Sequence, residues 1–404
     1  MASVDPRTRW WVLGIAGLAV VLSMTTWFSA TAVVPALAKD WGLTPSQAGW
    51  LTNAVQLGFV IGALGSSLLS VADIVPLPRL MGICAVLAAG ANAWLLLEPG
   101  IGGAVTARFV TGVALAGIYP PAMKFIATWF RTGRGFAMGA LVGALTLGSA
   151  LPHLVRAANT GLAWQSVVIV TSVACLIAAS IFALALREGP FPFTRAVVDP
   201  RQLGGILRNR PVMLANMGYF GHMWELYAMW GWFLAYANAA ASSGHWNINA
   251  SLLVFGVVAM GAPGSVMAGY LADRIGRCAT TAVMLSISGS CAFLIGLMFD
   301  GPTFMFALVA LVWGLTIVAD SAQFSAAVTE LSAKNQVGSA LAFQMGVGFA
   351  ITIFTIWLMP IAAEYFGGWR WTFLILVPGP VVGVMAILSL RMCPEARLLA
   401  NGMR

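Results

Sequence analysis

The stretch GYLADRIGR, at residues 269–277, follows a long apolar segment of this chain and places an aspartate and two arginines within five residues. A related stretch, LSVADIVPLPR at residues 69–79, follows an earlier apolar segment. The two aspartates, Asp73 and Asp273, lie 200 residues apart, and the same offset relates Arg134 to Lys334. The chain therefore repeats one unit in the same orientation, with each aspartate at the same place in its copy.

The composition identifies the environment of this repeat. The chain has 404 residues, of which 60% are hydrophobic and only 8% charged, and its mean hydropathy is +0.89. A soluble domain carries about 25% charged residues. A chain this apolar cannot cover itself with polar surface, so the composition indicates a polytopic membrane protein. The five cysteines show no CxxC spacing, which predicts neither a disulfide nor a metal centre, and no cofactor is expected.

Twelve apolar runs are long enough to cross a bilayer. A signal peptide has an apolar region of about 7–15 residues, so the first run, from Trp10 to about Leu37, is predicted to be an uncleaved span. The long break at 187–210 divides the chain into an N-terminal bundle at 1–186, a linker at 187–210, and a C-terminal bundle with a short tail at 211–404. The predicted spans lie near 10–38, 47–70, 79–98, 101–129, 135–155, 164–186, 211–238, 249–271, 279–299, 303–330, 338–362 and 371–391.

The basic residues are distributed unequally between the two sides of this topology. The side that holds both termini takes 16 of the 21 lysines and arginines, and the other side takes three. Because positive residues are retained in the cytoplasm, both termini and the linker are predicted to be cytoplasmic, in a multi-pass protein of the inner (plasma) membrane. The basic residues are thus explained by membrane topology and by attraction to the membrane surface. This argues against nucleic acid as a partner and in favour of the lipid bilayer. We expect a monomer.

The polar stretch at residues 269–277 resembles the loop signature of the major facilitator superfamily, G-x-L-x-D-R-x-G-R. The first copy is degenerate, because it lacks the arginine after Asp73 and the later Gly-Arg pair. The resemblance implies an all-α membrane protein in which twelve transmembrane helices form two six-helix bundles related by a pseudo-two-fold axis. It also implies that residues of these loops gate the cytoplasmic ends of the helices: Asp73, Asp273, Arg274, Arg277 and Arg134.

Two further stretches bear on the subfamily. Arg108 and Gly112 resemble the R-x-x-x-G pattern of the fourth span, whose arginine projects into the cavity in this family. Gly139 and Gly148 resemble the start of the antiporter motif, but Ser149 to His153 replace its Gly-Pro-x-x-Gly-Gly end. The missing end argues against a drug/proton antiporter.

Ionisable residues fall in three of the four spans that the resemblance assigns to the central cavity. The fourth span holds Arg108 and Lys124, the seventh holds His222 and Glu225, and the tenth holds Asp320. Charged groups inside a membrane are costly and usually belong to a substrate or ion pathway. The sequence and the resemblance therefore agree on a pathway role.

We assign two roles to these and neighbouring residues. Glu225, Asp320 and His222 are predicted to carry a proton, with His153 as an alternative. The alternative without a transport role is that His222 is a packing residue and that Glu225 and Asp320 are neutral structural carboxylic acids, hydrogen-bonded between helices. Lys124 either lines the cavity below the Tyr119-Pro120-Pro121 break or extends to the cytoplasmic interface. Asn53, Gln56 and Asn92 are expected to join helices. The predicted substrate contacts are Arg108, Tyr119, Lys124, Thr25, Trp232 and Gln323.

The predicted function is secondary active transport of a small solute, a small organic anion, by proton-coupled alternating access. Arg108 favours an anion with a planar carboxylate-like group. Efflux of amphipathic compounds is the alternative, favoured by Trp224, Trp230 and Trp232. A membrane receptor or an enzyme is a more remote alternative, because the sequence presents no nucleophile–base constellation, metal-ligand cluster or phosphate loop.

Overall fold

The chain folds into α-helices joined by short turns. The computed structural model describes residues 6–130, 133–158, 163–191, 199–243 and 248–403. It divides into two compact units, Met1–Arg195, called unit 1, and Ala196–Arg404, called unit 2. Of the predicted gate residues, the side chain of Arg134 lies outside the described residues.

Unit 1 contains nine α-helices and one 3-10 turn in its described part. They are α1 Pro6–Met24, α2 Ser29–Trp41, α3 Pro45–Leu68, α4 Val71–Ile74, α5 Leu77–Ala93, the turn Trp94–Leu97, α6 Gly100–Ala116, α7 Tyr119–Ala127, α8 Arg134–Ala158 and α9 Gln165–Ala185.

Unit 2 contains a further nine α-helices in its described part, with three 3-10 segments. They are the turn Pro200–Gln202, α10 Leu203–Arg208, α11 Arg210–Ser243, α12 Ala250–Ala259, α13 Gly261–Ile275, α14 Arg277–Leu297, α15 Thr303–Ile317, α16 Ser321–Leu331, α17 Val337–Tyr365, the turn Thr372–Leu376, α18 Pro378–Met392 and the tail segment Pro394–Gly402.

Eleven helical segments of the described chain are long and apolar enough to cross a membrane. Adjacent helices such as α1 and α2 join to form one span, and these segments match eleven of the twelve predicted spans. The remaining prediction, near 211–238, coincides with α11, a helix of 34 residues. At 1.5 Å per residue α11 is longer than a bilayer core, but its His, Glu, Tyr and Trp side chains lower its mean hydropathy. Among the described helices of this length, α11 is therefore the one that does not qualify as a membrane span by composition.

Four of the spans are broken in the middle, and a residue type explains two of the breaks. Between α6 and α7, Pro120 and Pro121 lack the N–H that would continue the helix, as the sequence predicted. Pro263 has the same effect at the start of α13. No proline lies in the break at 25–28 between α1 and α2. The same holds for the break at 318–320, which separates α15 from α16 and places Asp320 directly before the first residue of α16.

Each unit contains a pair of helices that approach closely at glycines. In unit 1, a Cβ built on Gly112 of α6 would lie 2.1 Å from the carbonyl oxygen of Val55 on α3. In unit 2, a Cβ on Gly314 of α15 would lie 1.9 Å from the carbonyl oxygen of Val257 on α12. Small residues let the two backbones touch, which is a common device of packing in membranes. The glycine of the R-x-x-x-G pattern thus serves helix packing.

Candidate functional site

Arg108 of α6 is the buried cation of unit 1, with none of its surface exposed. Its Nη1 donates to the carbonyl oxygen of Thr26 at 2.9 Å, to Oγ of Ser29 at 3.1 Å and to Oδ1 of Asn92 at 3.1 Å. Its Nη2 donates to the carbonyl of Trp27, and Nε lies 3.4 Å from the carbonyl oxygen of Leu51. Two of these carbonyls belong to the break between α1 and α2, where the helix ladder does not use them. All of these partners are neutral.

Asn92 of α5 extends this network across unit 1. Its Nδ2 donates to Oγ of Ser172 at 2.9 Å and to Oγ1 of Thr171 at 3.1 Å, both on α9, while its Oδ1 accepts from Arg108. Asn92 therefore joins helices, as predicted. For Asn53 and Gln56 this prediction remains open, because Oδ1 of Asn53 and both amide atoms of Gln56 are buried without a hydrogen-bond partner among the described residues.

The other predicted substrate contacts of unit 1 take different positions. Thr25 is buried, and its Oγ1 donates back to the carbonyl of Leu22 at 2.7 Å, whereas Tyr119 at the start of α7 is partly exposed. Nζ of Lys124 forms an ion pair with Asp73 in the predicted gate loop and donates to the carbonyl of Ala72 at 2.9 Å. The ammonium of Lys124 thus reaches the loop that was predicted to be cytoplasmic, as in the second of its two alternatives.

Glu225 of α11 is a buried carboxyl of unit 2, with 1% of its surface exposed. Its Oε1 accepts hydrogen bonds from Oγ of Ser288 on α14 at 2.8 Å and from Nε1 of Trp313 on α15 at 2.6 Å. Both donors are neutral side chains that can bond to the carboxylate and, less strongly, to the carbonyl oxygen of the protonated acid. The site can therefore hold Glu225 in either protonation state.

His222 lies one turn before Glu225 and contacts the break between α15 and α16. Its Nδ1 is 2.9 Å from Oδ1 of Asp320, and its Nε2 is 2.8 Å from Oγ of Ser321. The contact with Asp320 has ion-pair distance but not hydrogen-bond geometry, since Oδ1 has no aligned donor among the described residues. His222 and Asp320 are each 1% exposed. Asp320, His222 and Ser321 therefore lie side by side at the break between α15 and α16.

The tenth span does not present the single polar face that a straight helix would give. Trp313 reaches Glu225 and Asp320 reaches His222, but Oε1 of Gln323, beyond the break, accepts from Nη1 of Arg277 at 2.7 Å. A predicted substrate contact thus meets a predicted gate residue. Trp232 is 7% exposed, and its Nε1 donates to the carbonyl of Ile356 on α17 at 2.9 Å.

The gate residues of unit 2 behave differently from each other. Arg277 forms a bidentate ion pair with Glu330, with Nε to Oε2 at 2.8 Å and Nη2 to Oε1 at 2.6 Å. Glu330 also accepts from the backbone N–H of Ala400 in the tail segment at 3.1 Å. Arg274 lies over the ring of Tyr270 at 4.2 Å. Asp273 is exposed and takes part in none of the ion pairs within the described ranges.

Sequence reasoning missed three functional contacts. Ser288, Ser321 and Glu330 are 63, 99 and 53 residues away in the chain from their respective partners. A lone serine in an apolar helix carries no signal by itself. The only usable hint for Ser321 was its position directly after an intramembrane aspartate.

Comparisons with known proteins agree with this architecture. The chain resembles a curated relative, the niacin transporter NiaP of Acinetobacter baylyi (strain ATCC 33305 / BD413 / ADP1), with 21% identity over 304 residues. That match covers 64% of this chain and 65% of the relative, so the chain spans about two thirds of the relative's length. Sequence identity at this level leaves the substrate to be argued separately.

A solved structure gives the fold over the whole chain. It is the crystal structure of a bacterial homolog to the human lysosomal transporter Spinster, in an inward-facing and unoccupied conformation. The two share 14% identity with a TM-score of 0.68, over 98% of this chain and 99% of the other. The match confirms the predicted all-α fold.

The family model described as Major Facilitator Superfamily matches residues 16–244, which is more than half of the chain. The match covers residues 16–186 of the first predicted bundle and the whole of α11, including Arg108, His222 and Glu225. With the loop signature and the fold, it confirms the resemblance stated above. The chain is a multi-pass membrane protein that belongs to the major facilitator superfamily of transporters.

Proposed function

We propose that the protein is a secondary active transporter that moves a small organic anion across the membrane by proton-coupled alternating access. The observation that carries the proposal is the cluster of ionisable groups on α11 and at the start of α16. Glu225, His222 and Asp320 are each buried, and the first two lie one helical turn apart. Each charge placed at the centre of a membrane costs about 2.5–3.5 kcal/mol on insertion scales. A purely structural role would rarely offset the cost of burying three ionisable residues in one cluster.

The hydrogen-bond partners of Glu225, His222 and Asp320 are compatible with reversible binding of a proton. Ser288 and Trp313 donate to Glu225 and carry no charge, so no fixed cation locks the carboxylate in its ionised form. Nδ1 of His222 and Oδ1 of Asp320 lie at ion-pair distance, 2.9 Å apart, so a change of charge on one is felt directly by the other. Each step of protonation changes the charge of unit 2, which is the property that coupling requires.

The preference for an anion rests on Arg108 and on the relative. Every partner of Arg108 among the described residues is neutral, so its positive charge is solvated by dipoles but not cancelled. A cation of this kind raises the local potential for an anionic substrate. The relative transports niacin, which is a small aromatic carboxylic acid. We assign Tyr119, Thr25 and Trp232 as further substrate contacts, and we place Lys124 and Gln323, which bind Asp73 and Arg277, with the gate.

Gating and topology complete the proposal. We assign the five predicted residues to the cytoplasmic gate: Asp73, Asp273, Arg274, Arg277 and Arg134. We also propose that the transporter lies in the inner (plasma) membrane with both termini in the cytoplasm, and that it acts as a monomer. The support is the pairing of Asp73 with Lys124 and of Arg277 with Glu330. Both pairs join a loop of the family signature to a helix of its own unit, so each can make or break as the helix end moves.

The alternative of amphiphile efflux was favoured by the dense cluster of Trp224, Trp230 and Trp232, which was expected to shape a substrate pocket. Nε1 of Trp224 donates to the carbonyl of Ile375 at 2.8 Å, and Nε1 of Trp232 donates to that of Ile356 at 2.9 Å. Both indoles are thus anchored within unit 2, and their polar edges are already used. Efflux remains the second candidate, with less support than anion transport.

The test uses purified protein in proteoliposomes, with nicotinate as the first probe and a panel of small carboxylates beside it. We expect an acidic exterior to drive accumulation that a protonophore abolishes. Glu225→Gln should lose accumulation and keep exchange of labelled for unlabelled probe, because exchange needs only the loaded carrier to reorient. Asp320→Asn should do the same.

Two outcomes would contradict the proposal. Accumulation that survives in both variants would show that these carboxyls are structural, and His153 would become the next coupling candidate. Accumulation that is insensitive to the pH gradient in the unaltered protein would exclude proton coupling altogether. Transport of amphiphilic cations in place of carboxylates would favour the efflux alternative.

A further inference from the structure

Ser321 is the member of the Asp320–His222–Ser321 cluster that the proton-coupling argument has not used. We propose that its hydroxyl relays the proton between His222 and water. The proposal rests on the proposed function, because it explains how a buried proton carrier is loaded and unloaded.

Burial divides the cluster into an inner pair and an outer member. His222 and Asp320 are each 1% exposed, whereas Ser321 is partly exposed. Oγ of Ser321 is 2.8 Å from Nε2 of His222, within ordinary hydrogen-bond distance. The remaining faces of the imidazole are covered by aromatic rings, Tyr219 at 6.0 Å and Phe324 at 5.5 Å between centroids. The hydroxyl is therefore the polar route from the ring toward water.

Few other titratable groups face His222. On its own helix they are Glu225, one turn later, and Tyr219; from the start of α16 it is Asp320. Helices α12 and α15 carry no charged residue. The charges of the other neighbouring helices lie near helix ends: Glu330 on α16, Glu364 on α17 and Arg391 on α18. Asp320 is thus the charged residue in direct contact with the ring.

The relay step is a proton transfer with no covalent intermediate. The Nε2–H of the imidazolium gives its proton to Oγ of Ser321, and the original hydroxyl proton passes to water. Ser321 is neutral before and after the step, and His222 is left neutral with its remaining proton on Nδ1, facing Asp320. The reverse sequence loads the site. A hydroxyl suits this role because it both donates and accepts.

A merely structural Ser321 would also form this hydrogen bond, so stability alone does not test the proposal. The discriminating quantity is the rate at which the ring N–H of His222 exchanges with water. The chain has only three histidines, so ¹⁵N-histidine NMR of the whole protein in detergent resolves them, and His222→Asn assigns the signal. This measurement needs no substrate, so it stands or falls independently of the transport assay.

We expect Ser321→Ala to slow this exchange by about tenfold or more, since positioned proton transfer contributes factors of this size. Ser321→Thr should retain exchange near that of the unaltered protein because it keeps the hydroxyl. The matched control is Ser325→Ala, one turn further along α16, whose Oγ donates to Gln344 at 3.2 Å. Its exchange rate should be unchanged.

An exchange rate in Ser321→Ala equal to that of the unaltered protein would overturn the relay. Should that variant fail to fold, Ser321→Cys keeps the shape and weakens the hydrogen bond, and unchanged exchange in it would overturn the relay equally. If the unaltered protein shows no proton-driven accumulation while Ser321→Ala slows exchange, the relay stands and the coupling proposal fails.

Discussion

The interiors of unit 1 and unit 2 solve the same problem of a buried charge in opposite ways. Unit 1 surrounds Arg108 with backbone carbonyls and the side chains of Ser29 and Asn92, which hold it in one position. Unit 2 surrounds Glu225, His222 and Asp320 with side chains that donate, accept or titrate. The first arrangement fixes a permanent charge, and the second permits a charge to change. We infer that unit 1 supplies a constant field and unit 2 supplies the switch.

Removing the fixed charge should have the largest effect on stability. Arg108→Met keeps the volume but leaves the acceptors of Thr26, Trp27, Ser29 and Asn92 without their donor, so we expect a loss of about 3–5 kcal/mol. Thermal unfolding of purified protein in detergent measures it. Arg108→Lys is the control: it restores the charge with fewer donors and should recover part of the stability. An unfolding temperature near that of the unaltered protein in Arg108→Met would show that unit 1 does not depend on this charge.

The glycine contacts should affect both units alike and so separate packing from charge. Gly112→Ala and Gly314→Ala each place a Cβ about 2 Å from a carbonyl oxygen of the facing helix, at 2.1 and 1.9 Å. We expect each to cost about 1–3 kcal/mol through overpacking. Gly14→Ala and Gly269→Ala are matched controls, because a Cβ at either meets no atom within 4 Å. A large loss of stability from only one of the two substitutions would mean that the two units do not pack their glycine-bearing helices equally tightly.

Neutralising the switch should change stability little and function completely. Glu225→Gln offers a carbonyl oxygen to Ser288 and Trp313 in place of Oε1, so we expect unfolding to change by less than about 1 kcal/mol. Accumulation of the probe should be lost. Unfolding measured beside the Arg108 variants checks the first part. A stability loss as large as that of Arg108→Met would place Glu225 among the fixed structural groups and remove the contrast between the units.

The sequence predicted the parts of this contrast that depend on composition. Hydropathy located the spans, Pro120 and Pro121 located one helix break, and the rarity of charge in apolar segments selected Arg108, His222, Glu225 and Asp320. Each of these signals lies within one short segment of the chain, so it can be recognised from the sequence without knowing how the helices pack.

The partners of these residues were not predictable, because they depend on where helices break and cross. Arg108 was expected to face a substrate, but the break between α1 and α2 frees the carbonyls of Thr26 and Trp27, which it binds. The break before Ser321 has no proline to signal it, so Gln323 was predicted to contact the substrate as part of a regular helix. In the structure Gln323 contacts Arg277 instead.

The smallest expected effects concern the two signature aspartates, and they test whether the gates of the two units are alike. Asp73 pairs with Lys124, and both side chains are only 15–17% exposed. Asp73→Asn should therefore cost about 0.5–1 kcal/mol, as for a partly screened ion pair. Asp273 is exposed, and Asp273→Asn should change unfolding by less than about 0.5 kcal/mol.

A stability loss in Asp273→Asn as large as that in Asp73→Asn would show that the aspartate of unit 2 makes an equivalent contact. Transport should respond differently from stability, because a gate acts on the rate of reorientation. We expect Asp273→Asn to slow exchange of the probe and to leave its binding affinity unchanged, since Asp273 is exposed and takes part in none of the ion pairs of the described residues. If affinity fell as much as rate, Asp273 would belong with the substrate contacts. If neither changed, the gate of unit 2 would consist of Arg277 and Glu330, whose bidentate pair already joins α14 to α16.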